Sequence, residues 1–195
     1  MTPSLVAILF SAMIANNVLL IRFLGLCPFF GVSRRVDTAF SMGMAVLFVM
    51  TMATSASWLI YYYLLAPMGL EFLRTVVFIL VIAALVQMVE MFLKKVFPAL
   101  YQAFGVYLPL ITTNCAILGT AFLAINNHYD FLQAIVFTVG VSLGFVLALV
   151  MFAGMRQRLE YAPIPEAFKG YPLAFILAGL MSLSFMGFAG MFGLH

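Results

Sequence analysis

Charge is what this chain has least of. Nine lysines and arginines and six acidic residues make up only 8% of its 195 positions. A soluble domain typically carries about 25% charged residues. So few charged side chains cannot cover a water-facing surface, which excludes a soluble globular protein. Cysteine is also scarce. The two present, Cys27 and Cys115, both lie inside apolar sequence, which excludes the dense disulfide framework of a small secreted domain. A glycine-rich phosphate loop is absent, and so is any soluble segment to carry one. The formal charge of +3 comes from short basic clusters between apolar runs. That distribution suits orientation signals and not a nucleic-acid surface, so no nucleic-acid partner is expected. The opening MTPSLVAILF has no charged n-region, so it reads as the start of a retained helix.

Apolar residues fill the rest: 66% of the chain is hydrophobic, with a mean hydropathy of +1.20. Six apolar stretches run from about Ser4 to Leu26, Thr38 to Leu65, Thr75 to Leu93, Ala99 to Ile125, Phe131 to Met155 and Pro172 to Leu194. They lack the alternation of a membrane barrel, and backbone groups in lipid must bond internally, so helices are expected. The expected fold is an all-α integral membrane protein of six transmembrane helices in a single membrane domain, residues 1–195. Membrane lipid is its surroundings. The connections GVSRRVD, KKVFP and RQRLEYAPIPEAFKGYP hold Arg34, Arg35, Lys94, Lys95, Arg156, Arg158 and Lys169; the other two hold only Arg74. The positive-inside rule puts the basic connections in the cytoplasm and both termini on the periplasmic side of a bacterial inner membrane.

The two halves of the chain, about 1–95 and 96–195, look related. LCPFFG holds Cys27 with Gly31 four residues on; NCAILG holds Cys115 with Gly119 four residues on. The third stretch of each half carries Phe-Ile-Leu, at Phe78–Leu80 and Phe175–Leu177. Three helices per half is an odd number, so the halves would be inverted repeats whose equivalent positions meet near the midplane. The first helix of each half looks interrupted. Pro28 follows Cys27, with Gly25 and Gly31 around it; Pro109 precedes Thr112, Thr113 and Asn114, and Gly119 follows. A helix is disfavoured at the residue before proline. Breaks at membrane depth persist only where protein, ligand or water takes up the freed backbone groups.

Several readings of these residues stand side by side. The cysteines are small apolar side chains of the core, or metal ligands. Thiolates suit iron–sulfur clusters, copper(I) and zinc. An iron–sulfur cluster usually takes four thiolates, so this chain would carry half a site and a second chain the rest. Arg22, five residues before Cys27, either compensates an anionic cluster or snorkels to the interface. Asn16, Asn17, Thr112, Thr113 and Asn114 either line an ion path or satisfy backbone groups at the breaks. Glu90 in the third stretch reads as a partner of Lys94 one turn on, or as a functional acid within a span. Gly140 and Gly144 form a GxxxG pattern suited to close helix packing.

FLGLCPFFGVSRRVDTAF, FPALYQAFGVYLPLITTNCAILG and AGLMSLSFMGFAG resemble the family of A-type subunits of the Rnf electron transport complex, kin of the E-type subunits of the sodium-translocating NADH:quinone oxidoreductase. The resemblance spans nearly the whole chain. It implies an intramembrane [2Fe–2S] cluster held by Cys27 and Cys115 together with two cysteines of the homologous, oppositely oriented E-type subunit. It implies further partners in the B-, C-, D- and G-type subunits of the Rnf complex. It also implies a complex that passes electrons between ferredoxin and NAD, coupled to Na+ or H+ transport. The alternatives are the equivalent subunit of the quinone reductase, or a secondary transporter without a redox role. The charge pattern makes a direct prediction. A phosphatase that is active only in the periplasm should be active when fused at the second and fourth connections and at either terminus. It should be silent at the first, third and fifth; the reverse pattern would refute the orientation.

Overall fold

The computed structural model describes residues 5–96, 108–163 and 165–191. All regular structure among them is helical. Helix α1 spans Leu5–Ala15, its second half wound as a π turn. Two short helices follow, α2 at Val18–Arg22 and α3 at Leu26–Val32. Helix α4 runs Val36–Met68, with a π turn at Tyr61–Leu65. After a 3-10 turn at Glu71–Leu73 comes α5, Arg74–Val96. The second half holds α6 at Leu108–Thr112, α7 at Cys115–Asn126, α8 at Phe131–Glu160 and α9 at Tyr171–Met191.

Three of the six expected spans, in α4, α5 and α8, are helices long and apolar enough to cross a bilayer by themselves. The other apolar stretches give the shorter helical runs Leu5–Ala15, Leu110–Asn126 and Tyr171–Gly187. Backbone breaks explain the first. The fourth expected stretch begins at Ala99, and its part before Leu108 lies outside the described residues. Helix α8, at 30 residues, is about 45 Å long and exceeds a hydrocarbon core of roughly 30 Å. Its basic end, with Arg156 and Arg158, therefore extends past the apolar layer.

Helix α8 is the centre of the bundle. It buries Phe137, Val141, Phe145, Ala148, Leu149 and Phe152 along its length and packs against α4, which buries Met42, Val46, Met50 and Ala53. Phe29 of α3 stacks on Phe152 with ring centroids 4.1 Å apart. Helix α5 is peripheral, and Val76, Ile79, Leu80, Met88, Met91 and Phe92 stand exposed along it. Large exposed apolar side chains on this scale suit lipid contact. At the far end, Arg74 joins α5 to α7: its Nη1 donates to Asn126 Oδ1 at 2.9 Å, and its guanidinium lies 4.8 Å from the Phe122 ring centre.

The GxxxG pattern serves packing. A Cβ at Gly140 would stand 2.8 Å from the Leu9 carbonyl oxygen, and one at Gly144 would stand 2.6 Å from that of Met13. Two turns of α8 thus lie directly on the backbone of α1. Gly144→Ala is expected to destabilise the protein by about 1–3 kcal/mol, read as a lowered thermal unfolding midpoint in detergent. Gly154→Ala, on the same helix with nothing within 4 Å of its added Cβ, should leave the midpoint unchanged or raise it.

Candidate functional site

The first break lies between α2 and α3. Phe23, at φ 55°, and Gly25, at φ 87°, turn the chain through left-handed conformations. The first is unfavourable for a bulky side chain and the second natural for glycine. The break thus precedes Cys27, whereas the sequence reading puts it at the Cys27–Pro28 step. Pro28 is the third residue of α3, where no N–H is needed for an intrahelical bond. A further break, at Asn16 and Asn17, goes beyond the sequence expectation. In the second half the interruption falls at Thr113 and Asn114, so that Cys115 is the first residue of α7. Each cysteine therefore stands in the first turn of the helix that follows a break. Both thiols are free and exposed on this chain.

The two breaks meet. The Gly25 N–H donates to Cys115 Sγ at 3.0 Å. Since Gly25 is two residues from Cys27, chain geometry keeps the Cys115 sulfur within about 12 Å of the Cys27 Cα. The approach is close because Gly25 has no side chain: a Cβ there would lie 2.8 Å from Phe145 Cε2 and 3.1 Å from both Ala116 Cβ and Asn114 Oδ1. The glycines four residues after each cysteine face across the seam in reciprocal fashion. Gly119 lies against Leu24, beside the first break, and Gly31 against Leu110, beside the second.

The polar residues at the breaks have distinct fates. Asn17 is buried and caps α2, its Oδ1 accepting from the N–H groups of Leu19 at 3.1 Å and Leu20 at 3.3 Å. Its Nδ2 donates to the Gly144 carbonyl at 2.8 Å. Asn114 is buried and caps α7 through Ala116 N–H at 3.0 Å, while its Nδ2 has no hydrogen-bond partner. Asn16 is exposed, with a 3.5 Å contact from Nδ2 to Ser11 Oγ. Thr112 is half-buried, Thr113 is exposed, and Arg22 is exposed at the end of α2. Asn17 and Asn114 thus act on the broken backbone itself.

Two residues that the sequence reading gave no such role also hold the ends of the half-helices. Ser182 of α9 donates to the Leu20 carbonyl at 2.7 Å. Arg156 of α8 donates to the Phe30 carbonyl at 3.1 Å and Ser33 Oγ at 2.7 Å, closing the far end of α3. A serine in an apolar helix and an arginine in a basic cluster carry no local signal of these long-range bonds. Among the described residues, no three His, Cys, Asp or Glu side chains converge as a metal-binding group. Cys27 and Cys115, borne by two adjoining breaks, are the thiol donors this chain itself offers.

Residues 5–192 match the family described as "Rnf-Nqr subunit, membrane protein". The chain is 56% identical to the A-type subunit of the ion-translocating oxidoreductase complex of Syntrophotalea carbinolica over 188 residues, 96% of this chain and 97% of the relative. It is 54% identical to the A-type subunit of the Na(+)-translocating ferredoxin:NAD(+) oxidoreductase complex of Acetobacterium woodii, covering 96% of this chain and 98% of that one. With the A-type subunit of the ion-translocating oxidoreductase complex of a Vibrio cholerae strain it shares 50% identity, covering 94% of this chain and 95% of the relative. Cysteine-bearing breaks, a lipid-facing helical bundle and these full-length similarities converge: the chain belongs to the Rnf-Nqr family of membrane subunits.

Proposed function

We propose that this protein carries half of an intramembrane [2Fe–2S] site within an ion-translocating ferredoxin:NAD oxidoreductase complex. The observation that carries the reading is the Gly25 N–H bond to Cys115 Sγ, which draws the two cysteine-bearing breaks to one locality. The donor set fits the group. Cys27 and Cys115 are both thiols, the ligand type of such clusters, and both are exposed on this chain, so another polypeptide can reach them. Two thiols are half of four. The missing pair is assigned to the homologous E-type subunit, lying in the membrane with opposite orientation. A buried donor, Asn114 Nδ2, stands unpartnered one residue from Cys115; an anionic group beside it would give that donor an acceptor, which burial otherwise penalises.

When bound, such a cluster accepts and releases single electrons. This chain's residues do the rest. Cys27 and Cys115 ligate; the Gly25 N–H supports the Cys115 sulfur; Asn17, Ser182 and Arg156 hold the half-helices in register by occupying their free backbone groups. The apolar exterior embeds the site in lipid and excludes water. Coupling to Na+ or H+ transport follows the relatives' description as ion-translocating. The inverted arrangement of the halves, favoured by the reciprocal Gly31 and Gly119 contacts, supplies the two-sided frame that such transport uses.

Replacing either cysteine separates the readings. Co-expressed with its E-type partner, the wild-type protein should contain about two irons per pair and give a reduced-state EPR signal of a [2Fe–2S] centre. Cys27→Ser and Cys115→Ser should each lose the iron, the signal and ferredoxin:NAD activity of the complex while the pair still assembles. Full activity in both variants would instead mean a transporter without a redox role.

A further inference from the structure

At the basic end of the bundle lies a cavity of about 600 Å³, bounded by the turn before α4, the end of α8 and the start of α9. Four cations line it: Arg34, Arg35, Arg156 and Lys169. One carboxylate, Glu160, stands among them. This is no evenly solvated face. The cations belong to three separate segments of the chain and converge on one hollow, where the Arg34 and Arg156 charges repel one another. Arg156 is partly occupied by the Phe30 carbonyl and Ser33. The side chains of Arg34, Arg35 and Lys169 form no hydrogen bond or ion pair with a described residue. Glu160 offsets part of this repulsion, but with four cations to one carboxylate the hollow keeps a net positive charge, which an anion between the cations relieves.

The remaining wall indicates what kind of anion. Leu159, Leu173 and Ala174 give the cavity an apolar side. It opens where the long apolar helices stop, the depth at which lipid headgroups lie. Tyr171, at the head of α9, is exposed there, as aromatic side chains at membrane interfaces are. A small hydrated ion has no use for the apolar wall. A molecule with a phosphodiester at one end and hydrocarbon at the other matches both parts, and basic pockets between membrane helices are suited to such headgroups. We propose that this cavity binds an anionic phospholipid, its phosphodiester between Arg34, Arg156 and Lys169 and its glycerol and upper acyl chain along Leu173 and Ala174.

The test uses the protein purified in mild detergent together with the partners it carries. Native mass spectrometry counts retained phosphatidylglycerol and phosphatidylethanolamine. Wild type should retain phosphatidylglycerol in preference. Arg34→Gln with Lys169→Gln should weaken that retention roughly tenfold or more, given about 1 kcal/mol per basic residue at an anionic surface. The charge-keeping pair Arg34→Lys with Lys169→Arg should hold the lipid. Lys95→Gln, which removes a cation outside the cavity, should hold it too. Equal retention in the neutralised pair, or no preference over phosphatidylethanolamine, would overturn the proposal. Stripping of the lipid from wild type by excess inorganic phosphate would also overturn it and assign the cavity to a soluble anion.

Discussion

An unpaired backbone group inside hydrocarbon has no water to turn to, and that constraint organises this protein. An unbroken helix meets it locally. This chain instead interrupts its helices at Asn16–Asn17, at Phe23–Gly25 and at Thr113–Asn114, and must then find partners from elsewhere. It finds them in side chains from distant segments. Asn17 caps the helix after it and ties it to α8. Ser182 arrives from α9 at the end of α2, and Arg156, from the end of α8, closes the far end of α3 where the chain turns toward α4. The breaks are thus points of attachment, and the bundle is knitted together where its helices are discontinuous.

Close packing makes those attachments geometrically accessible. Small residues remove the volume that would hold backbones apart: Gly140 and Gly144 bring α8 onto α1, and Gly43 lets α4 approach Val146 of α8. With α8 as the common wall, the half-helices carrying Cys27 and Cys115 are pressed together while both cysteines stay exposed on this chain. An exposed polarizable side chain beside rigidly held backbone is a poor choice for simple core filling. It is a good one for a surface completed by another polypeptide.

Much of this was legible from residue order. Long apolar runs announced a membrane protein, and the prolines and glycines around both cysteines announced interrupted helices. The GxxxG pattern announced a close crossing. The exact position of the first break was not legible, because it depends on Phe23 accepting a left-handed conformation, which its identity disfavours. Proline at position 28 pointed to a break at Cys27, after the observed one at Phe23–Gly25, since proline is equally at home in a helix's opening turn. The roles of Ser182 and Arg156 were hidden for another reason. Their partners lie more than a hundred residues away, and nothing in a local window distinguishes them from ordinary helix residues.

The joint between Gly25 and Cys115 has a practical consequence for anyone who probes this protein by mutagenesis. Its donor is main chain, supplied by a residue with no side chain to delete. A scan that truncates side chains one by one would report the sulfur's half of the contact and remain blind to the other. Only a change that alters the local fold of the polypeptide, or chemical editing of the amide itself, reaches that half.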